Sequence, residues 1–240
     1  MLMPTLRTVS VFLIACGTAS SGQVQETIDR GTFVARRGTD TLAVERFSRT
    51  ADTLRGSLRV YGEPRRLDYV AILGPNNTVR SLLVAVFEVG GGAPEALLQR
   101  ARAAVLGDTV VVQRSTGVTR IATAPNAVPM FAFGFALMEV FTRRARANGG
   151  SVNVPFVPIS GRGMSLDVPV RAIGTDSLVV TIQGAATRFR IDAIGRILGG
   201  TDGENTLIVR LGPESAAGVI NSLKDTTVTP TTVNRRKHNS

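Results

Sequence analysis

Five carboxylates on predicted strands are the residues best suited to acid–base chemistry in this chain. A pair of Asp or Glu side chains can protonate a leaving group while the partner activates water or acts as a nucleophile. The same strands carry many arginines, which suits surface or cross-strand ion pairs equally. A secreted hydrolase with paired carboxylates is therefore one hypothesis, and ion pairing is the competing interpretation. The candidates are Glu45, Asp68, Glu88, Asp167 and Asp192.

Other catalytic side chains lie outside the predicted folded region. The only histidine is His238, near the end of the chain, and the only cysteine is Cys16. The only lysines, Lys224 and Lys237, follow the last predicted strand. These positions exclude Ser-His-Asp catalysis, a thiol nucleophile and histidine-ligated metal from the folded part. We therefore expect a protein that is not an enzyme and that holds no cofactor and no metal.

The stretch MFAFGFALMEVFTRRARANGG, residues 130–150, contains four of the ten phenylalanines. Its apolar part, residues 127–141, is too short to cross a bilayer as a helix. Asn126 as N-cap and Pro129 in the first turn predict a helix over 128–147, ended by Asn148 and the following glycines. Glu139 and the arginine-rich end mark its solvent side.

The apolar arc of this helix is wider than packing on one sheet requires. It indicates either a core helix packed across a curved sheet or the wall of a cavity for an acyl chain or other apolar ligand. In the second interpretation, the arginines at the end of the helix meet an anionic head group. The candidate ligand-binding residues are Met130, Phe131, Phe133, Phe135, Leu137, Met138, Phe141, Arg143, Arg144 and Arg146.

The formal net charge of +10 is carried almost entirely by arginine. A nucleic-acid-binding protein usually clusters its cations and interleaves aromatic residues for stacking. Here the arginines are spread along the predicted strands, and the chain has no Trp and only two Tyr. We expect no nucleic-acid partner, and attraction to an anionic cell-envelope surface is the functional interpretation that remains.

The first 22 residues have the layout of an export signal. Arg7 precedes the apolar run 9–15, and small polar residues follow. Residues 13–16, Leu-Ile-Ala-Cys, resemble a bacterial lipobox, in which Cys16 would be lipidated and would attach the protein to a membrane. Ordinary cleavage around residues 19–22 is the alternative. Either way we expect an exported protein without disulfides in the periplasm or at the outer membrane of a bacterial envelope.

Alternating apolar and polar residues, interrupted by turn signals, predict a series of antiparallel strands. The segment 94–106 is either a short helix or a strand in its second half. The tail 212–240 is polar, basic and predicted to be flexible. The predicted strands are 31–36, 41–49, 53–61, 65–73, 78–89, 109–114, 117–124, 151–159, 164–173, 177–184, 186–198 and 206–211.

The predicted fold is therefore mainly β (α+β): a curved antiparallel meander sheet, or incomplete barrel, packed on one long apolar helix. The β-rich domain spans residues 31–211. It can be divided into two lobes, 31–124 and 151–211, joined by the helix at 128–147.

This layout, an exported chain with a strand meander, one apolar helix and further strands, resembles the lipoprotein-localisation-factor-like family of bacterial envelope proteins. The resemblance covers residues 31–211 and implies a half-barrel that wraps around helices and holds a lipid or a lipidated partner. Our leading expectation is non-enzymatic binding of an apolar or lipid-like ligand in the cell envelope. The alternatives are a structural envelope protein that contacts partners through its sheet or tail, and the paired-carboxylate hydrolase.

Overall fold

The computed structural model describes residues 28–89, 95–131, 134–160, 163–203 and 205–213. The predicted export signal, the predicted lipidation site Cys16 and nearly all of the tail predicted over 212–240 lie outside these ranges. Phe133, one of the candidate ligand-binding residues, also lies outside them.

The described residues form fifteen strands, one α-helix and a single 3-10 turn at Pro75–Asn77. The helix, α1, spans Phe135–Ala147. The first eight strands are β1 (Asp29–Arg37), β2 (Asp40–Arg49), β3 (Thr53–Val60), β4 (Arg65–Gly74), β5 (Thr78–Glu88), β6 (Ala96–Leu106), β7 (Thr109–Arg114) and β8 (Gly117–Ala122). The others are β9 (Val128–Met130), β10 (Ser151–Pro158), β11 (Leu166–Ala172), β12 (Ser177–Ile182), β13 (Ala185–Ile191), β14 (Ile197–Asp202) and β15 (Thr206–Leu211).

All fifteen strands belong to one sheet, in the order β8-β7-β6-β5-β4-β3-β2-β1-β15-β14-β13-β12-β11-β10-β9. Every neighbouring pair is antiparallel except β9 and β10, which are parallel. A parallel pair needs a crossover connection, and α1 provides it. Because β1 pairs with β15, the strands before and after α1 form one continuous sheet.

Side-chain alternation explains why these segments are strands. On β3, Leu54 and Leu58 are buried while Arg55 and Arg59 are exposed, so one face of the sheet covers the core. The hairpin turns use glycine where a left-handed backbone is required, as at Gly38 and Gly107, with φ of 59° and 62°. The predicted strands at 109–114 and 206–211 coincide with β7 and β15.

The sheet curves around α1 and brings its two ends together without closing. The helix contacts β2 and β3 on one side and β10, β11, β12 and β14 on the other, while β9 lies against β5 and β6. Arg114 Nη2 donates a hydrogen bond to the Ile159 carbonyl, and the Thr123 and Ser165 hydroxyls are 2.6 Å apart. The edge strands β8 and β9 do not pair with each other. The predicted curved, incomplete barrel is therefore present.

The predicted long helix is wrong in its first third. Val128–Met130 forms β9, which pairs with Phe156–Pro158 of β10, and the helix begins only at Phe135. Pro129 is tolerated because edge strands do not need every backbone N–H. Asn126 has a left-handed φ of 63° and does not cap the helix.

Two further boundaries differ from the sequence prediction. The helical alternative for 94–106 is wrong, because Ala96–Leu106 is strand β6 between β5 and β7. The segment 186–198, predicted as one strand, is a hairpin of β13 and the start of β14. Asp192 makes the turn, since its Oδ1 accepts hydrogen bonds from the backbone N–H groups of Ile194 at 3.0 Å and Arg196 at 2.9 Å.

Among the described residues, no helix has the length and apolar character that a membrane-spanning helix requires.

Candidate functional site

The apolar face of α1 and the segment before it pack against aromatic side chains of the sheet. The Phe135 ring is 5.9 Å from Phe33, measured between centroids, and the Phe141 ring is 6.4 Å from Phe156. Phe131 lies 4.9 Å from the Tyr69 ring. These distances are typical of tilted aromatic pairs in protein cores.

The other described apolar candidates also pack in the core. Met130 and Leu137 are buried, and Met138 is partly buried against the core. The described members of the predicted apolar set therefore form core contacts between helix and sheet. A ligand on this face would have to displace packed side chains.

The three candidate arginines at the end of α1 point to different partners. Arg143 Nη2 lies 3.3 Å from Glu139 Oε2 and 3.8 Å from Asp29 Oδ2. Arg144 is buried and donates to backbone carbonyls of two turns. Arg146 is exposed and donates to the carbonyls of Thr175 and Ala193. The structure does not gather them into one cationic patch.

Glu45 is fully buried at the N-terminus of α1. Its Oε1 accepts a 2.6 Å hydrogen bond from Tyr69 Oη, and its Oε2 accepts a 2.9 Å hydrogen bond from the Ala136 backbone N–H. Gly134, at the N-cap, offers no side-chain acceptor, so a carboxylate from β2 performs the capping role. Burial raises the pKa of Glu45 to about 7, and the hydrogen bonds from Tyr69 and Ala136 oppose this rise.

Glu139 is also fully buried, in contrast to the solvent-facing position predicted from the sequence. Its Oε1 accepts hydrogen bonds from the Ile197 backbone N–H at 3.1 Å and from Arg210 Nη1 at 2.5 Å. Desolvation raises the pKa of Glu139, while the charges of Arg210 and Arg143 oppose this rise.

Arg210 extends the same cluster to the first strand. Its Nη2 donates to Asp29 Oδ1 at 2.7 Å, and its guanidinium lies over the rings of Phe33 and Phe47, at 5.5 and 4.9 Å from their centroids. Glu139 and Arg210 thus connect α1 to β1, β14 and β15. We assign to this buried cluster the role of fixing the helix inside the sheet.

The five candidate carboxylates do not assemble into an acid–base pair. Asp68 pairs with Arg66 at 3.0 Å and Asp192 with Arg196 at 2.6 Å, as the ion-pair interpretation predicts. Glu88 and Asp167 occupy exposed positions on β5 and β11. The remaining candidate, Glu45, is fully buried.

The buried carboxylate near Glu45 is Glu139, whose charge contributes to the raised pKa of Glu45. Both side chains have 0% exposure, so no substrate reaches them. The described residues also contain no cluster of three His, Cys, Asp or Glu side chains that could hold a metal ion.

A groove of about 500 Å³ lies on the surface of β5, β6 and β7. We call it the outer groove, because Leu83 and its cross-strand partner Arg102 face away from the core while the adjacent pair Val84 and Ala101 is buried. Its apolar and cationic lining residues are Leu83, Leu97, Leu98, Arg100, Arg102 and Arg114.

The leucines of the outer groove are unusually exposed for their size. Leu83, Leu97 and Leu98 are 40%, 47% and 49% exposed. The first five residues of β6, 96–100, are all exposed although they pair with β5. Adjacent exposed leucines beside arginines are typical of a binding surface rather than of scattered surface residues.

The cations of the outer groove have few competing partners. No described carboxylate forms a salt bridge with Arg100 or Arg102. Arg114 uses its Nη2 for the Ile159 carbonyl. The outer groove was not predicted from the sequence, because Leu97 and Leu98 lie in the segment 94–106, for which a helix and a strand both stayed open. Arg100 and Arg102 lie in the same segment, whereas Leu83 comes from β5 and Arg114 from β7.

No family model and no curated protein matches this chain. Among solved structures, it is similar to a DUF1089 family protein from Pseudomonas aeruginosa, with 13% identity and a TM-score of 0.50 over 67% of this chain and 89% of that chain. It is also similar to a β-barrel-like protein of the domain of unknown function DUF1849 from Brucella abortus, with 10% identity and a TM-score of 0.37 over 76% of this chain and 94% of that chain.

The first similarity is one of fold and shows nothing beyond the fold. Neither structure is described as a lipoprotein-localisation factor. The family resemblance drawn from the sequence stays a prediction.

Proposed function

We propose that this chain is an exported cell-envelope protein that binds a lipid-like anionic amphiphile, such as a fatty acid or an anionic phospholipid, without catalysing a reaction. The observation that carries the proposal is the outer groove, where exposed leucines lie beside Arg100 and Arg102, which form no salt bridge with any described carboxylate. Its volume of about 500 Å³ is within the range of about 300–1,000 Å³ typical of small-molecule sites.

The outer groove suits a ligand better than the helix face does. Phe131, Phe135 and Phe141 already contact aromatic partners in the core, so their apolar area is covered. Leu83, Leu97 and Leu98 have no such cover in the described structure. Transfer of an acyl chain onto them would remove apolar area from water, worth about 25 cal/mol per Å².

The arginines select the charge of the ligand. A guanidinium can form two parallel hydrogen bonds with a carboxylate or phosphate, which a neutral head group cannot match. Arg100 and Arg102 lie two residues apart on β6 and share the groove with the leucines. We therefore place the anionic head group at these two side chains and the acyl chain along the leucines.

The N-terminal sequence supports a location in the cell envelope. An export signal followed by a lipidated Cys16 would bring the folded part close to lipid, so that the ligand and the protein share a compartment. Ordinary signal cleavage would leave a soluble envelope protein with the same groove.

A displacement titration tests the proposal. The purified chain is saturated with a fluorescent fatty-acid analogue, and dodecanoate is added as competitor. We expect saturable binding that falls by about tenfold or more in Leu98→Asp, because burying a leucine contributes about 1.5–3 kcal/mol. Leu106→Asp is the matched control, since Leu106 is also on β6, is 62% exposed and lies outside the groove.

The proposal is wrong if the analogue does not bind saturably, or if Leu98→Asp and Leu106→Asp behave alike. A second competitor, dodecanol, separates the two halves of the site. Arg100→Gln combined with Arg102→Gln should weaken dodecanoate much more than dodecanol, while Arg188→Gln on the distant strand β13 should change neither.

A further inference from the structure

A second groove, of about 390 Å³, lies at the C-terminal end of α1. Its walls are the 3-10 turn after β4, the turn before β9, the end of the helix and the start of β10. We call it the Arg144 groove, because Arg144 is the cation that lines it. Its polar lining includes Asn76, Thr78, Asn126, Arg144, Asn148 and Asn153.

Arg144 is a buried cation without a counter-ion in the described part of the chain. Only 8% of the residue is exposed, and no carboxylate among the described residues pairs with it. Its Nε donates to the Asn77 carbonyl at 2.9 Å and its Nη1 to the Asn126 carbonyl at 2.7 Å. Its Nη2 is shielded from solvent and has no partner.

Two of the arginines near α1 have counter-ions, whereas Arg49 is buried like Arg144, pairs with no described carboxylate and has an Nη1 without a hydrogen-bond partner. Arg143, one residue earlier, lies beside Glu139 and Asp29, and Arg210 pairs with the same two carboxylates. A buried guanidinium that lacks such a partner carries a desolvation cost that an anion would offset. Consistent with this, burial lowers the pKa of Arg144 to about 10.

We propose that the Arg144 groove binds a small oxyanion, a carboxylate or phosphate group, with Arg144 as its main cationic contact. The side-chain amides of Asn126 and Asn153 supply further hydrogen-bond donors on the walls. The site is separate from the outer groove, since the two grooves share no lining residue. Its existence does not depend on the proposed lipid binding.

A purely structural role for Arg144 makes a different prediction. As a clamp, Arg144 would only hold the carbonyls of two turns together. Arg146 provides the matched control, because it also donates to two backbone carbonyls, of Thr175 and Ala193, but is exposed and does not line the groove.

The test is an isothermal titration of the full chain with inorganic phosphate and with glycerol 3-phosphate, at constant ionic strength. We expect saturable binding that Arg144→Met weakens by at least tenfold, as the loss of a charge-assisted hydrogen bond requires. Arg146→Met should retain the affinity. Equal losses in both variants, or no saturable binding of either probe, would overturn the proposal.

Arg144→Met also removes the hydrogen bonds that hold the two turns, so Asn153→Asp provides a second variant. Asn153 is exposed on β10, and its Oδ1 accepts a 2.9 Å hydrogen bond from Arg171 that an aspartate can also accept. The added negative charge beside the groove should weaken phosphate binding severalfold while the free energy of unfolding changes little. An unchanged phosphate affinity in this folded variant would count against the site.

Two further arms separate the sources of the oxyanion. Vesicles of phosphatidylglycerol, compared with vesicles of phosphatidylcholine, present the phosphate as an anionic lipid head group. If soluble glycerol 3-phosphate competes with phosphatidylglycerol and Arg144→Met weakens both, the site accepts lipid head groups. If only the soluble probes bind in an Arg144-dependent manner, the site takes a free oxyanion. Vesicle binding that does not respond to Arg144→Met, without soluble binding, would refute the site.

Discussion

The ring of Tyr69 covers Gly56 on the neighbouring strand, and this position brings its hydroxyl within 2.6 Å of Glu45 Oε1. A Cβ atom at Gly56 would lie 2.4 Å from the Tyr69 ring, closer than carbon atoms can approach. The glycine of β3, the tyrosine of β4 and the glutamate of β2 therefore act together. Through Glu45 they determine where α1 begins inside the sheet.

Replacing Gly56 by alanine tests this relationship. The methyl group would push the Tyr69 ring away and break its hydrogen bond to Glu45, so we expect a loss of about 2–4 kcal/mol in the free energy of unfolding. Urea unfolding measures the effect. The control is Gly203→Ala, because a Cβ there meets no atom within 4 Å. A Gly56→Ala protein as stable as the control would show that the ring moves aside freely.

The raised pKa of Glu45 predicts a specific dependence of stability on pH. The folded protein holds the Glu45 proton up to about pH 7, while the unfolded chain releases it near pH 4.5. The contribution of Glu45 to the free energy of unfolding is therefore complete below pH 4.5 and is lost as the pH rises to 7 and above. Over this pH range, we expect the free energy of unfolding to fall by about 3 kcal/mol through Glu45 alone. Glu139, whose pKa is also raised, acts in the same direction, whereas Asp192, whose pKa is lowered, acts in the opposite one.

Comparison with Glu45→Gln isolates the contribution of this one carboxylate. Since glutamine offers an acceptor oxygen to only one of the two donors, the informative quantity is the slope of unfolding free energy against pH and not its absolute value. We expect a flatter profile between pH 5 and 8 in the variant. Parallel profiles for the two proteins would mean that Glu45 does not titrate in this range.

The ion pair between Glu139 and Arg210 should be strongly coupled. Glu139 is fully buried and the Arg210 side chain is 12% exposed, so removing either partner leaves the other charge without compensation. In a double-mutant cycle of Glu139→Gln and Arg210→Met, we expect a coupling energy of about 1–3 kcal/mol.

The exposed pair Arg66 and Asp68 is the reference for that cycle. Its side chains are 29% and 38% exposed, so the cycle of Arg66→Met and Asp68→Asn should give less than about 1 kcal/mol. Similar coupling in the two cycles would contradict the assigned role of the buried cluster.

The strands were largely predictable because their signal is local. Alternation and glycine-containing turns gave β7 and β15 their observed bounds. The start of the helix was not predictable in this way, because Val128, Pro129 and Met130 are apolar in either structure. They become strand β9 only through parallel pairing with residues 156–158, which is a long-range contact.

The difference between local signals and long-range contacts also explains which properties of the site residues could be predicted. Glu139 was assigned to the solvent side because an isolated acid on an apolar helix is usually exposed, yet Arg210, 71 residues later, neutralises it in the core. The phenylalanines were identified as an unusual cluster, but their partners Phe33 and Phe156 come from strands on either side of the helix in sequence. Likewise, the outer groove exists only after β5, β6 and β7 pair.

The most direct measurement is native mass spectrometry of the full chain purified without detergent exchange, followed by lipid extraction. The proposed function predicts an adduct of about one amphiphile per chain with an anionic head group, retained in Leu106→Asp and lost in Leu98→Asp. A chain that carries no lipid, that takes up none from anionic vesicles, or that keeps its adduct in Leu98→Asp would contradict it.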